Sequence, residues 1–302
     1  MSTEHAAEAA AQHGPSAGEY IAHHLTYFNG TGAKQQALID FSLINYDTIF
    51  FSALLAILGS FVFWLAARKA TSGVPGRFQA AVEILVEMVA DQAKGLIHSP
   101  ESRKFVAPLA LTVFVFVFLM NAMDFLPLDW LPRLWEGIYG GMGHDPHHAY
   151  LRVVPTADIN ATMGMSVTVL LVCLYYNVKI KGAGGWAHEL VSAPFGTSKN
   201  PLLAVILGIV NFAMQLIEFA AKTISHGMRL FGNMFAGELI FMLIALMGAA
   251  WTGYNAPSIL LFLGHFVAGF AWALFHILVV VLQAFIFMML TLVYVGQAHE
   301  AH

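Results

Sequence analysis

Apolar residues gather into five runs, and the polar positions between and within them set the expected architecture. Three shorter runs cover 48–67, 106–123 and 163–176, the last extending back towards Asp158. Two longer runs follow, 201–247 and 258–296, separated by the turn-like Gly-Tyr-Asn-Ala-Pro at 253–257. Crossing a bilayer takes about 20 helical residues. Each of the last two runs would extend on the order of 60–70 Å as a helix. Neither has a proline inside it, Pro201 standing only at the head of the first, so both are expected to stay unbroken and to lie steeply tilted. The stretch 77–97 has a different pattern. Phe78, Val82, Leu85, Val89 and Leu96 fall at helical spacing, while Glu83, Glu87 and Asp91 form an acidic stripe. It is expected to be an amphipathic helix on the cytoplasmic face.

The pattern predicts an all-α integral membrane protein: five membrane-crossing helices plus one amphipathic interfacial helix. Its last two crossings should form a long, steeply tilted antiparallel hairpin. The chain reads as a single membrane domain over 1–302. Residues 1–47 form a polar outer N-terminal segment, 48–67 the first span, 77–97 the interfacial helix, 106–176 a two-helix hairpin and 201–298 the long hairpin. No internal repeat is visible, which disfavours an inverted-repeat transporter.

Composition supports the membrane class. Of 302 residues, 58% are hydrophobic and 11% charged, whereas soluble domains carry about 25% charged residues. The net charge of −4 leaves no nucleic-acid footprint. The one cysteine, Cys173, excludes a disulfide framework and a paired-cysteine metal site. The N-terminal stretch lacks a basic region followed by an apolar one, so the first span is expected to act as the targeting signal. The outward-facing N-terminal histidines are expected to be solvated.

Charge in the loops orients the chain. Arg68, Lys69, Arg77, Lys94, Arg103 and Lys104 lie between the first two spans. The next loop has only Arg133 and Arg152 against Asp124, Asp129, Glu136, Asp145 and Asp158. Lys179, Lys181 and Lys199 follow, and the last loop is uncharged. The positive-inside rule then places the amino terminus outside and the carboxyl terminus in the cytoplasm.

The sharpest anomaly is Arg229, in the middle of a nearly apolar run. An arginine at mid-membrane costs roughly 3 to more than 10 kcal/mol and cannot escape by deprotonating. The nearest acid on its own face is Glu218, about 16 Å back at helical rise. Glu218, Lys222, Ser225, Arg229 and Asn233 recur every three or four residues as one polar stripe. On the second long run His276 and Gln283 share a face. In an antiparallel hairpin, Arg229 opposite Gln283, Glu238 near His276 and Glu218 opposite Tyr294 all imply one register centred on the 255–257 turn. Glu238 is out of phase with Arg229, so Arg229 is expected to face a partner while Glu238 faces an inner, water-filled cleft. Gly227, Gly232, Ala236 and Gly237 around Arg229 would let another helix approach closely. Titratable groups on either side of a fixed cation suggest two ion-access routes separated by a charge barrier.

The stretches MRLFGNMFAGELI (228–240), ALFHI (273–277), QAFIF (283–287), FLMNAMD (118–124), VPTADIN (154–160) and ATSGVP (70–75) carry a resemblance. The chain resembles the a subunits of the F-type ATP synthases, closely the bacterial form, from about residue 19 to its end. The resemblance implies a proton-conducting stator subunit of the membrane sector, with two offset half-channels beside a ring of c subunits. It further implies b-subunit stator helices and the remaining ATP synthase subunits as partners, a lipid bilayer as surroundings, and no cofactor. The location implied is the bacterial inner membrane, with a periplasmic amino terminus.

Carried over by position, Arg229 matches the essential arginine that meets the deprotonated ring carboxylate and blocks a proton short circuit. Glu238, His276, Asn233 and Gln283 match polar positions of the outer half-channel and rotor interface. Asp124, Asp158 and Asp47 match acidic positions towards the outer entrance. Lys222, Ser225 and Tyr294 match the cytoplasmic exit side, where Glu218 also falls. The loop at 140–148, with His144, His147 and His148, is outside the recognised pattern and is read as an ordinary exposed loop, without a metal.

Other classes fit less well. The only near match to a zinc-protease motif, His188-Glu189-Leu190-Val191-Ser192, fails at Ser192. His226 and His276 lie at different depths across the hairpin, so they offer no facing haem ligands. His265 reads as a satisfied membrane histidine. No phosphate-binding loop motif occurs, so nucleotide chemistry is expected on other subunits. A self-contained ion antiporter or channel is the alternative, but it would have to neutralise Arg229 within its own chain.

Overall fold

The computed structural model describes residues 16–29 and 43–298. Most of the polar N-terminal segment lies outside these residues. Among the described residues there are eight α-helices and no strand beyond one isolated bridge between Asn29 and Asn45. Five helices are long and apolar enough to cross a membrane.

The helices are α1 Ala17–His24, α2 Tyr46–Arg68, α3 Arg77–Leu96, α4 Pro100–Ala122, α5 Trp130–Gly141, α6 Ile159–Ser192, α7 Pro201–Ala249 and α8 Ala256–Gln297. Local chemistry sets their starts. The Ser99 hydroxyl accepts the Ser102 amide ahead of Pro100. The Asp158 carboxylate accepts the Asn160 amide at the head of α6, 2.9 Å away. Asn255 caps α8 through the Ser258 amide at 2.9 Å, after Gly253 has turned the chain at φ +123.

Both long helices run unbroken, through 49 residues in α7 and 42 in α8. At helical rise each exceeds the roughly 30 Å hydrocarbon thickness by about twofold, which is the geometric basis for expecting tilt. Their register is fixed by contacts along the hairpin. The Gln283 side-chain amide donates to the Arg229 carbonyl at 2.9 Å. His226 stacks on Phe287 with centroids 3.7 Å apart, and Phe241 meets Trp272. His265 is bonded to the Ile244 carbonyl at 2.7 Å. Glu218 departs from this scheme: it pairs with Lys222 on its own helix rather than with Tyr294, and Lys222 reaches Gln297.

Packing partners differ from the pairing expected over 106–176. That segment is not a closed hairpin: α4 packs chiefly on α8, and α6 on α7. The physical reason is the wedge of chain before α6. The turn Pro155–Ala157 is fully buried and touches α2, α4, α6 and α7. On α7, Gly227 makes the approach of α6 possible, since a Cβ there would lie 2.7 Å from the Met163 sulfur. The first part of α6 ends at Gly182, whose φ of +72 kinks the helix; Lys181 then bridges back to Glu189 at 2.6 Å.

α3 covers the expected amphipathic stretch, but its face is shared differently. Val89 and Ala93 are buried against the chain's own helices, chiefly α4, whereas Phe78 and Ile84 are exposed. The acidic stripe Glu83, Glu87 and Asp91 stays exposed. Two elements had no counterpart in the apolar pattern. α5 lies in the loop before α6, and α1 precedes the first span and touches α7.

Candidate functional site

The polar residues divide into three places along α7: an exposed stripe, a buried cluster on one side of it, and an open cavity on the other. Ser225, Arg229 and Asn233 are all exposed, at intervals that keep them on one helix face. No carboxylate lies within ion-pair distance of the Arg229 side chain among the described residues. Its backbone carbonyl is tied to buried Gln283, which holds α8 against this level. Ile224 and Met228 of α7 are exposed too, and so are Leu274, Ile277, Leu278, Val281 and Leu282 of α8, so the cation stands on an otherwise apolar exposed surface.

Glu238 lies on the opposite, buried side of α7. It is 4% exposed and accepts three hydrogen bonds from the guanidinium of Arg152, the closest at 2.6 Å. Arg152 is equally buried and also donates to the Tyr27 hydroxyl. Tyr27 passes a 3.0 Å hydrogen bond to the Ala157 carbonyl. Burial pushes the Tyr27 phenol above its usual pKa although Arg152 pulls it down, so Tyr27 serves as a neutral donor. For Arg152 burial is the largest single influence and would lower the pKa, but the charge and hydrogen bonds of Glu238 together with the neighbouring Tyr27 and Asp158 outweigh it, and the net direction is upward.

His276 does not meet Glu238 directly through a hydrogen bond. Its Nε2 lies 2.7 Å from the Asp124 carboxylate, close enough for an ion pair but misaligned for a hydrogen bond. Gly237 makes this possible, because a Cβ there would overlap the His276 ring. Asn121, also buried, has neither side-chain polar atom partnered among the described residues.

The other acidic positions are structural anchors in this geometry. Asp47 accepts the backbone amides of Phe28, Arg152 and Thr48 at 2.9, 3.1 and 2.8 Å. Asp158 accepts Asn45 at 2.8 Å and Thr48 at 2.9 Å. The buried carboxylates thus join the first span, the 150–158 loop and the N-terminal strand of chain into one network. Beyond it, Asp129 holds Tyr20 and His24 at 2.9 and 3.0 Å. His24 is therefore packed and bonded, and His23 lies against Tyr150; neither is the solvated histidine expected. A small cavity of about 30 Å³ borders His24, Asp124, Arg152 and Glu238.

On the other side a cavity of about 1150 Å³ opens between α6, α7 and α8. Glu218, Lys222, His226 and Tyr294 line it. Lys222 pairs with Glu218 at 2.5 Å, donates to Gln297 at 2.8 Å and lies over the Tyr294 ring. Among the described residues no group of three possible metal ligands comes together; His148 and Asp145 approach at 3.3 Å.

A family model described as the ATP synthase A chain matches residues 49–296. The chain belongs to the ATP synthase A chain family. Relatives agree over nearly its whole length. It is 66% identical to the ATP synthase subunit a of Paracidovorax citrulli over 97% of this chain and 100% of that protein. For Acidovorax sp. strain JS42 the identity is 64% with the same coverage. Against Psychrobacter sp. strain PRwf-1 it is 45%, over 93% of this chain and 96% of the relative. With five apolar spans, this member of the family is a multi-pass membrane protein.

Reading the sequence missed Arg152, Tyr27, Asn45 and Thr48 as members of the site. Arg152 was visible only as one of two basic residues in an acidic outer loop. Its partner lies 86 residues away, and no helical periodicity links a loop residue to a span.

Proposed function

We propose that the chain is the proton-conducting stator subunit of the ATP synthase membrane sector, with two offset half-channels beside a ring of c subunits. The observation that carries this reading is Arg229: an exposed guanidinium in an apolar surface, with no carboxylate of its own chain beside it. The missing anion belongs to a ring carboxylate. That carboxylate pairs with Arg229 when deprotonated and must be protonated to move into lipid. Gln283 holds the two helices together at the arginine's level, and Asn233 lies exposed on the arginine's own face.

The outer route passes the cluster of Asp124, His276, Glu238 and Arg152, with Asp47 and Asp158 shaping its entrance. Glu238 exchanges protons with water in the small cavity it shares with Asp124, and His276 joins the route through Asp124 beside it. The inner route is the large cavity bordered by Glu218, Lys222 and Tyr294, with Ser225 near its rotor side. Arg229 separates the two, so a proton crosses only by riding the ring. The amino terminus is periplasmic, the carboxyl terminus cytoplasmic, and the membrane is the bacterial inner membrane. b-subunit helices complete the stator, and nucleotide chemistry resides on other subunits, consistent with the lack of a phosphate-binding loop motif in the sequence.

The test is Arg229→Ala in the assembled complex, with ATP-driven proton pumping and passive leak measured in membrane vesicles. Coupled pumping is expected to vanish. Pumping at the parental rate would sink the mechanism.

A further inference from the structure

His226 has no place in the routes described so far, yet its surroundings are unusual. It is 2% exposed, and neither ring nitrogen has a hydrogen-bond partner among the described residues. A buried, unpartnered polar side chain costs about 1–3 kcal/mol, so its retention calls for a reason. The ring is held in one plane by stacking on Phe287 and by an edge contact with Tyr294. It also lines the 1150 Å³ cavity. Of the α7 residues that do so, it lies furthest along the helix towards Arg229, one turn away or about 4.5 Å of rise. The other titratable groups around that cavity are Cys173, Lys181, His188 and Glu189 of α6, Glu218 and Lys222 of α7, and Tyr294 of α8. Only the two imidazoles, His188 and His226, belong to a residue type whose ordinary pKa lies near neutral pH, and of the two only His226 is on α7, one turn from Arg229.

We propose that His226 is the proton relay at the head of the cytoplasmic half-channel. The inference rests on the proposed function above. In the synthesis direction the ring carboxylic acid reaches the arginine's level and its O–H bond breaks. The proton adds to the free lone pair of one ring nitrogen, giving an imidazolium, and the new carboxylate pairs with Arg229. The other nitrogen then releases its proton to water in the cavity, restoring neutral imidazole. Hydrolysis runs the same steps backwards. A neutral histidine presents one donor and one acceptor, and both ring nitrogens are unpaired among the described residues, so the ring can take a proton on one side and give it up on the other.

The experiment is His226→Ala in the complete complex, in vesicles made freely proton-permeable so that no gradient builds. The rate of carbodiimide-sensitive ATP hydrolysis then reports ring rotation. Assembly is checked by the amount of the chain retained in the purified complex. The rate is expected to fall at least about tenfold, the low end of what a positioned proton carrier contributes. Added imidazole should restore much of it, since the truncated site opens into a cavity large enough to admit the free ring. A parental rate overturns the proposal. So does a reduced rate that imidazole leaves unchanged, because that is the signature of lost packing on Phe287. If alanine prevents assembly, His226→Gln takes its place: a slow, assembled complex supports the relay and a parental rate refutes it. Arg229→Ala in the same assay separates the two readings. A normal rate there removes the half-channel mechanism itself, whereas loss there with a normal His226 variant removes only the relay.

Discussion

The polar regions on the two sides of Arg229 are built in opposite ways. The outer one is dense: Arg152, Glu238, Asp47 and Asp158 are buried and bonded to several elements at once, around a cavity of about 30 Å³. The inner one is open: Glu218 is exposed, its partner Lys222 is half-exposed, and they border a cavity of about 1150 Å³. The difference teaches that charge is managed by pairing on one side and by hydration on the other. A paired site can be broken by removing one partner, because the other is left buried with its charge. A hydrated site loses little when one charge goes, because water replaces it.

The largest effect is therefore expected at the outer cluster. Arg152→Met should cost about 3–5 kcal/mol by stranding Glu238, read as loss of the chain from detergent-extracted complexes. Adding Glu238→Met should restore much of the assembly, and proton transport should still fail. Equal instability of the single and double variants would show that the pair is not a unit. Next comes Asp158→Asn, which weakens the bonds to Asn45 and Thr48 and the cap on α6. A loss of about 1–3 kcal/mol is expected, seen as a lower melting midpoint of the purified complex; an unchanged midpoint would show that the anchor is dispensable. Smallest is Lys222→Ala on the inner side. A stability change below about 1 kcal/mol is expected for so exposed a pair. A collapse of assembly comparable to that of Arg152→Met would erase the contrast between the two regions.

The same contrast explains what could be read from the sequence. Arg229, Gln283 and the exposed stripe follow from helical phase, since all lie on two long helices whose periodicity is uninterrupted. His265 also behaves as expected, bonded to a carbonyl of the facing helix. The outer cluster escapes such reasoning. Arg152, Tyr27 and Asn45 lie outside the helices, and their partners are separated by 86 residues or more along the chain. α1 was hidden because its residues are mostly polar or small, and its place depends on Asp129 in a distant loop. The pairing of α4 with α8 instead of α6 depends on a buried turn whose wedge shape no hydropathy pattern encodes. Gly182 was similarly silent, since it lies past the 163–176 run among Lys179, Lys181, Gly184 and Gly185, where no pattern marks which glycine kinks the helix.

α7 has one more consequence, because the outer carboxylate and the central arginine belong to a single uninterrupted helix. Their angular offset is then counted in residues rather than set by a joint. Nine positions of about 100° each bring Glu238 half a turn away from Arg229, one buried and one exposed. Adding a single residue between them would swing one of the two by about 100° and lift it by about 1.5 Å. The helix is a phase gauge: it can tolerate changes of side chain along most of its length, but not a change in its count.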